Sequence, residues 1–244
     1  PRNGGTDTSR YDFDRLSPLA EENWIYIRRT GGRSMILYDY ILSASCYKVR
    51  LMAALVNIPL TLKAVNFHPK KDHKSDSMLA LNPAGTLPIL VDGEHIMTQS
   101  TQILRHLATQ ADSGWLGTNA DAEWFNFADR LNASLGIARL HDILSYDVDI
   151  EKGRRDGVTQ LRKLEEHLSE MRFDGMAFLT GTRPTIADIA CFPNTALAPD
   201  GGVSLDAYPT IRLWMRVIRS LPGFIEMPGI HRLHELAPDP VVPV

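Results

Sequence analysis

The sequence has few cysteines and no long apolar run, and these two absences exclude several classes of protein. Cys46 and Cys191 are its only cysteines and no CxxC motif occurs, so neither a disulfide framework nor a thiolate zinc site is expected. No apolar stretch approaches the roughly 20 residues that cross a membrane. Residues 1–34 carry charges throughout and lack the apolar core of a secretory signal. A cytoplasmic protein without a membrane partner is therefore expected.

A strong net charge of either sign is also missing. The 244-residue chain has a formal net charge of −3 and a pI near 6.3, so we expect no nucleic acid as a partner. Its residues are 44% hydrophobic and 23% charged, which is ordinary for a globular protein. The length allows one large domain or two small ones, each with a real core.

The first half of the chain alternates strand and helix patterns. Val49, Met52, Ala53 and Val56 recur at the spacing of one helix face. Asp92-Gly93 separates two strand-like segments and suits a two-residue type I′ turn. The predicted order is β-α-β-loop-β-β-α. The strands are predicted at residues 35–40, 60–65, 87–91 and 94–98, and the loop at 67–77.

The second half of the chain shows helical periodicity only. Residues 111–119 (ADSGWLGTN) are rich in small and polar residues and are interpreted as a linker. Helices are predicted at residues 122–144, 151–171, 185–197 and 208–221. The predicted organisation is an N-terminal extension (1–34), an α/β domain (35–110), the linker (111–119), an all-helical domain (120–228) and a C-terminal tail (229–244).

Ser43 lies where the first strand passes into the first helix. A serine at this point is a common N-cap, accepting a hydrogen bond from a free backbone N–H. The same position also favours an anion, because free N–H groups and the positive end of the helix dipole meet there. If the anion is a thiolate, the hydroxyl stabilises it and lowers the pKa of the thiol. Both readings are compatible with the sequence.

Two further stretches carry polar or backbone groups suited to a small ligand. In NPAGTLP (residues 82–88), Pro88 must begin or edge a strand, and a cis Leu87–Pro88 bond would turn the Leu87 backbone outward. Gln99 and Ser100 stand at the start of a helix, where the pair can cap the helix or hold an amino-acid head group. Each stretch is a weak signal alone.

Together these stretches resemble the glutathione S-transferase superfamily, most closely its bacterial, zeta- and theta-like serine members. The matching segments are LYDYILSASCYKVR, NPAGTLPILVDG, Gln99-Ser100, the capping box PTIAD at 184–188, and Tyr208-Pro209 with Trp214 and the LPGF at 221–224. The resemblance runs from residue 35 to about 228. It implies an N-terminal thioredoxin-like domain followed by a C-terminal helical bundle domain, that is, α/β plus all-α.

The resemblance implies glutathione as cosubstrate and assigns roles to single residues. Ser43 would activate the thiol, Leu87 would pair with the cysteinyl peptide group beside the cis-proline Pro88, and Gln99 and Ser100 would hold the γ-glutamyl end. The glycyl carboxylate would be bound by His68, Lys71 or Lys74. The apolar electrophile would lie against the helical domain. Candidate residues for that pocket are Tyr40, Ile41, Phe125, Leu131, Leu135 and Tyr146, each of which is alternatively core.

The neighbours of Ser43 have different expected roles. Ser45 occupies the place of the cysteine of dehalogenase-like members and is a candidate assisting residue. Cys46 is one position further along the helix, which rotates it about 100° away, and we expect it to be buried and inert. Lys48 and Arg50 are expected on a solvated helix face rather than as groups that steer an anion. His231 and His234 have a spacing that can bind metal, but no third ligand is evident, so no metal is expected.

The leading hypothesis is a glutathione transferase, expected from the resemblance to be a homodimer. A glutathione-dependent isomerase or lyase uses the same thiolate and remains open. A non-catalytic binding module with the same fold is the alternative outside the enzyme class.

Overall fold

A computed structural model of the chain describes residues 35–111, 114–117 and 121–231. The predicted extension at 1–34 and the tail beyond residue 231 lie outside the described residues. The described strands are β1 (Met35–Asp39), β2 (Leu60–Ala64), β3 (Ile89–Asp92) and β4 (His95–Met97). The helices are α1 (Ala44–Leu55), α2 (Asp76–Leu81), α3 (Ser100–Ala111), α4 (Asp121–Leu131), α5 (Ile137–Leu144), α6 (Ile150–Phe173), α7 (Ile186–Ala196) and α8 (Pro209–Arg219).

The four strands form one mixed sheet in the order β2-β1-β3-β4. Strand β1 runs parallel to β2 and antiparallel to β3, and β4 returns antiparallel to β3. The register pairs Tyr38 with Ile89 and Leu90 with Met97. The predicted strands are confirmed, with bounds that differ by one or two residues.

The turn between β3 and β4 differs from the predicted type. Asp92 pairs with His95, so Gly93 and Glu94 are the two loop residues. Of these two, only Gly93 has a positive φ, at +60°. A type II′ turn needs a positive φ at its first loop position alone, and a glycine there supplies it.

A short helix lies in the segment that the sequence predicted as an unbroken loop. A 3₁₀ turn at Asp72–Lys74 precedes α2 at Asp76–Leu81. Met78 of α2 packs with Val65 and Ile89 in a small apolar cluster on one face of the sheet. With only six residues and one buried side chain, α2 has too little periodicity to be recognised from the sequence.

The other face of the sheet packs on α1 and α3, and this core continues without a break into the helical half. Leu37 of β1, Leu104 of α3 and Ile189 of α7 are fully buried in the same cluster. The segment 114–117 joins the two halves, and the Trp115 carbonyl accepts a hydrogen bond from the Ile186 N–H at 3.0 Å. The predicted helix at 122–144 is two helices, α4 and α5, linked by a π-helical segment, Asn132–Gly136.

The capping box predicted at 184–188 is confirmed. Thr185 caps α7, and the Asp188 carboxylate accepts from the Thr185 N–H at 2.9 Å. Asp188 also accepts from the Leu179 N–H at 3.0 Å and from the Trp214 indole N–H at 2.9 Å. A single buried carboxylate therefore ties α7 to α8 and to the segment before it.

Candidate functional site

The sheet topology brings the polar stretches selected from the sequence to one edge. Ser43 follows the carboxyl end of β1, and β3 runs antiparallel to β1, so Leu87 lies at that same edge just before Ile89. Strand β4 is antiparallel to β3, which places Gln99 and Ser100 there as well. Strand β2 is parallel to β1, so the loop that carries His68 also starts from this edge.

Ser43 is the N-cap of α1. Its backbone is extended (φ −78°, ψ 118°), and its Oγ accepts a hydrogen bond from the Cys46 N–H at 3.2 Å. The prediction that Ser43 is an N-cap is confirmed. The cap bond occupies only one acceptor site of the hydroxyl oxygen. A serine hydroxyl has one proton to donate and two lone pairs, so accepting from the Cys46 N–H does not consume its capacity to donate. The side chain is half-buried at the helix start.

Two buried arginines hold the backbone between β1 and Ser43. Arg50 of α1 donates to the Ile41 carbonyl at 3.1 Å, and its Nε lies 3.2 Å from Asp39 Oδ1 as an ion pair without hydrogen-bond geometry. Arg139 of α5 donates to the Leu42 carbonyl at 2.6 Å. From the sequence Arg50 was expected on a solvated helix face and Arg139 was not considered, because a local pattern does not show that α5 contacts this segment.

The Leu87–Pro88 bond is cis, the isomer that the sequence left open. The loop before it is organised by Asn82, which is 3% exposed. The Asn82 amide donates to the Thr86 carbonyl at 2.8 Å and to the Thr86 hydroxyl at 2.9 Å, while its oxygen accepts from Ala84 at 3.2 Å. Gly85 has φ +59°, a conformation that favours glycine. These bonds fix the loop that precedes Leu87.

Gln99 and Ser100 stand at the start of α3. Gln99 is exposed and its carbonyl accepts from the Ile103 N–H at 3.0 Å, which makes it the residue that precedes the helix. Ser100 is the first helical residue and is half-buried. Its N–H belongs to the first turn, where backbone donors have no partner inside the helix.

The loop after β2 carries one buried histidine that the sequence reading passed over. His73 is 3% exposed, and its ring stacks on Phe67 at a centroid distance of 4.0 Å. Burial, together with the charges of Lys74 and Lys71, lowers the pKa of His73, so the ring is neutral at pH 7. Three residues of this loop were predicted as candidates to bind the glycyl carboxylate of glutathione. Lys71 and Lys74 are exposed, and His68 is half-buried.

Aromatic rings from both halves of the chain meet beside the Ser43 loop, which is the segment 40–43 between β1 and α1. Tyr40 stacks on Phe67 at 5.4 Å between ring centroids, and Tyr146, from the segment after α5, lies 6.2 Å from Phe67. Burial raises the pKa of Tyr40 to about 12, so its hydroxyl stays protonated. Ile41 is half-buried in the same loop. The structure thus brings together Tyr40, Ile41 and Tyr146 of the predicted electrophile pocket.

Three other pocket candidates lie elsewhere. Leu131 and Leu135 are 0% and 1% exposed and belong to the main core, so they are inter-helix core residues. Phe125 is half-buried, with the Arg105 guanidinium 5.5 Å from its ring centroid. Helical periodicity alone does not separate a residue that packs between helices from one that lines a cleft.

The remaining residues of α1 that were considered from the sequence are buried or half-buried in the structure. Cys46 is fully buried, and burial raises the pKa of its thiol to about 12, so it carries no thiolate near pH 7. The expected solvated face of α1 is wrong: Lys48 and Arg50 are 2% and 8% exposed, because α1 is covered on several sides. Ser45 is half-buried.

The described residues contain neither a metal-binding cluster nor a membrane-spanning helix. Among the described residues no group of three or more His, Cys, Asp or Glu side chains is placed to hold a metal ion. His234, one of the two histidines considered for metal, lies outside the described residues. No helix in the described part of the chain is long and apolar enough to cross a membrane.

Comparisons with known proteins agree with this architecture. A family model described as the N-terminal domain of glutathione S-transferase matches residues 37–115. The maleylacetoacetate isomerase of Rhizobium meliloti is 31% identical over 196 residues, which cover 72% of this chain and 87% of that protein. Human glutathione S-transferase theta-2 is 29% identical, covering 77% of this chain and 81% of that protein.

A solved structure extends the likeness to the fold. A crystal structure of a glutathione S-transferase from Pseudomonas fluorescens superposes with a TM-score of 0.71 at 27% identity, covering 79% of this chain and 98% of the other. The chain belongs to the glutathione S-transferase superfamily of enzymes.

Proposed function

We propose that the chain is a glutathione transferase in which Ser43 stabilises the glutathione thiolate for attack on a small electrophile. The observation that carries the proposal is the hydrogen bonding of Ser43. Its oxygen accepts from the Cys46 N–H, so its proton is available to a sulfur anion at the start of α1. The helix dipole and the hydroxyl both favour the charged form of the thiol, which makes the thiolate the attacking group.

The rest of glutathione is proposed to lie along the same sheet edge. The backbone of Leu87, next to the cis-proline Pro88, pairs with the cysteinyl peptide group, and Gln99 and Ser100 hold the γ-glutamyl end. Lys74 is favoured over Lys71 and His68 for the glycyl carboxylate. The reason is that its Cγ lies 3.7 Å from where a Cβ of Gly85 would be, so its stem packs on the loop that leads to Leu87.

The electrophile is proposed to lie against Tyr40, Ile41 and Tyr146. These residues come from both halves of the chain and provide apolar ring faces with two hydroxyl groups, a common composition for a small-molecule site. Ser45 is kept as an assisting residue. We also propose the domain boundaries given above, a homodimer and a cytoplasmic location.

A glutathione-dependent isomerase is the second candidate. It is favoured by a relative named maleylacetoacetate isomerase at 31% identity. In such a reaction the thiolate adds to a conjugated substrate, a bond rotates, and the thiolate leaves again. Glutathione is then regenerated rather than consumed, so following total free thiol over many turnovers distinguishes the two reactions.

Replacing Ser43 with alanine tests the proposal. We expect kcat toward an aryl halide, or toward a cis-configured conjugated diacid, to fall about a hundredfold, as when a hydrogen bond to a developing anion is lost. The glutathione Kd from calorimetry should change less than threefold. Thr185→Ala is the matched control, since it also removes a helix cap, but at α7, to which no contact with glutathione is assigned. Unchanged turnover in Ser43→Ala would refute the role, and failure of the wild-type protein to bind glutathione would favour a binding module.

A further inference from the structure

Arg139 connects the helical half of the chain to the peptide bond that precedes Ser43. Its side chain is almost fully buried, with 10% exposure. Nη1 donates to the Leu42 carbonyl at 2.6 Å, and Nε pairs with Asp200 Oδ2 at 3.1 Å. Asp200 belongs to a 3₁₀ turn, Ala198–Gly201, that follows α7. The guanidinium therefore lies between an acidic anchor and the Ser43 loop.

The Leu42 carbonyl and the Ser43 N–H belong to one planar peptide unit. That N–H donates to the Tyr40 carbonyl at 2.9 Å, so the unit is held at both ends. With both ends fixed, the plane cannot rotate, so the position of the Ser43 Cα is determined, and the bond from the Cys46 N–H then orients Oγ. The bond from Arg139 is charge-assisted, which makes it shorter and stronger than a neutral hydrogen bond.

The positive charge of Arg139 also reaches the Ser43 loop. Nη2 is buried and has no hydrogen-bond partner within the described ranges. The charge of Arg139 acts to lower the pKa of Tyr40, against the larger effect of burial, which shows that its field extends to this loop. The other titratable groups around the loop include Tyr146, which opposes Arg139 at Tyr40, and the Asp39–Arg50 ion pair on the α1 side. The buried Cys46 thiol, which interacts with the Ser43 side chain, is a further one.

We infer that Arg139 is a positioning residue for Ser43, holding the Leu42–Ser43 peptide unit so that the Ser43 hydroxyl points at the glutathione sulfur, with Asp200 fixing the guanidinium. This inference rests on the proposed function. Arg139 acts through the backbone of Leu42 and is not assigned a contact with glutathione. Its loss is expected to affect the ionisation of the bound thiol rather than the affinity for glutathione.

The test compares Arg139→Gln, Arg139→Lys and Asp200→Asn with a matched control, Arg154→Gln. Arg154 of α6 also binds the 3₁₀ turn, donating to the Gly201 carbonyl at 3.0 Å and to Asp142 at 2.7 Å, but within the described residues it makes no hydrogen bond to the segment 40–43. Thiolate formation is measured from the ultraviolet absorbance of enzyme-bound glutathione between pH 5 and pH 9. The glutathione Kd and kcat/KM are measured on the same samples.

We expect Arg139→Gln to raise the pKa of the bound thiol and to lower kcat/KM about tenfold at pH 6.5, roughly the effect of one lost charge-assisted hydrogen bond. Most of this loss should be recovered at pH 9, where the thiol ionises regardless. Arg139→Lys should give a partial effect, because an ammonium cannot bridge Leu42 and Asp200 as the planar fork does. Asp200→Asn should shift the thiol pKa in the same direction, and Arg154→Gln should leave it unchanged.

The inference is overturned if the loss in Arg139→Gln is equal at all pH values, or if Arg154→Gln shifts the thiol pKa as much. If Arg139→Gln does not fold, Arg139→Lys and Asp200→Asn decide the question, and an unchanged thiol pKa in both overturns it. These results differ from failure of the proposed function, which would appear in the wild-type protein as no thiolate absorbance below pH 8, or in Ser43→Ala as an unchanged thiol pKa.

Discussion

Replacing Asp188 with alanine should destabilise the protein more than the loss of an ordinary helix cap. The carboxylate is 0% exposed and accepts three N–H hydrogen bonds, from Leu179, Thr185 and Trp214, at 2.9 to 3.0 Å. Alanine leaves all three buried donors without an acceptor. Each unsatisfied donor costs about 1–3 kcal/mol, so the free energy of unfolding should fall by about 3–9 kcal/mol. That is a large part of the roughly 5–15 kcal/mol typical of a domain.

Replacing Asp188 with asparagine should lower the free energy of unfolding by less than alanine does, because an amide keeps part of the hydrogen bonding. Oδ1 accepts from both Leu179 and Trp214, and Oδ2 accepts from Thr185. An amide that keeps its oxygen on the Oδ1 side retains two bonds and places an NH₂ group against the Thr185 N–H. We therefore expect a loss of about 1–3 kcal/mol for Asp188→Asn, corresponding to one unsatisfied donor.

The assay is urea unfolding followed by far-ultraviolet circular dichroism, which avoids relying on the fluorescence of Trp214. Thr185→Ala is the control and should cost about 1 kcal/mol, the usual effect of losing a cap side chain. The order of stability should be wild type, then Thr185→Ala, then Asp188→Asn, then Asp188→Ala. An Asp188→Ala protein within 1 kcal/mol of wild type would refute the idea that this carboxylate joins α7 and α8.

Two further predictions concern buried groups. Because burial raises the pKa of the Cys46 thiol to about 12 and the Cys191 thiol also has a raised pKa, neither should react with iodoacetamide in the native protein at pH 8. Mass spectrometry should show both modified in urea, and native modification at the rate of free glutathione would contradict the burial. Gly201→Ala should cost about 1–3 kcal/mol, since its Cβ would lie 2.9 Å from a backbone nitrogen of α5. Gly157→Ala should cost less, because its nearest neighbour is a Leu135 methyl that can rotate away, and the reverse order in urea unfolding would show the reasoning to be wrong.

The elements with strong periodicity or capping signals were predicted well from the sequence. Apolar spacing identified α1 and α6 to α8, and the Thr185–Asp188 box marked the start of α7 within one residue. The helix α2 was missed, since it has only six residues and one buried side chain, too few to show a helical period. The hairpin turn was wrong by one position, because Asp92 pairs within the strand and Gly93 supplies the single positive φ.

The candidate site was predictable where one short stretch carries the signal. Ser43, Pro88 and the Gln99-Ser100 pair each lie at the end of an element, and the order of the strands is enough to bring them to one edge. Arg139 could not be found in this way, because its partners Leu42 and Asp200 are 97 and 61 positions away in the chain. Phe125 and Leu131 of α4 were both predicted to line the pocket, although six positions put them about 120° apart on the helix. Leu131 shares a buried face with Phe127 and Ala128, whereas Phe125 is half-buried.

The two arginines that bind the Ser43 loop are better explained by the position they give its backbone than by a contribution to the stability of the fold. Arg50 and Arg139 are both 8% exposed, each is paired with an aspartate, and each donates to a carbonyl in the segment 41–42. A buried ion pair seldom stabilises a protein more than apolar residues of the same size, because both charges lose their hydration. A loop that needed only to be covered would be better served by leucine or methionine. Arginines from α1 and α5 instead bind two successive carbonyls, those of Ile41 and Leu42, and so restrain the backbone that leads to Ser43.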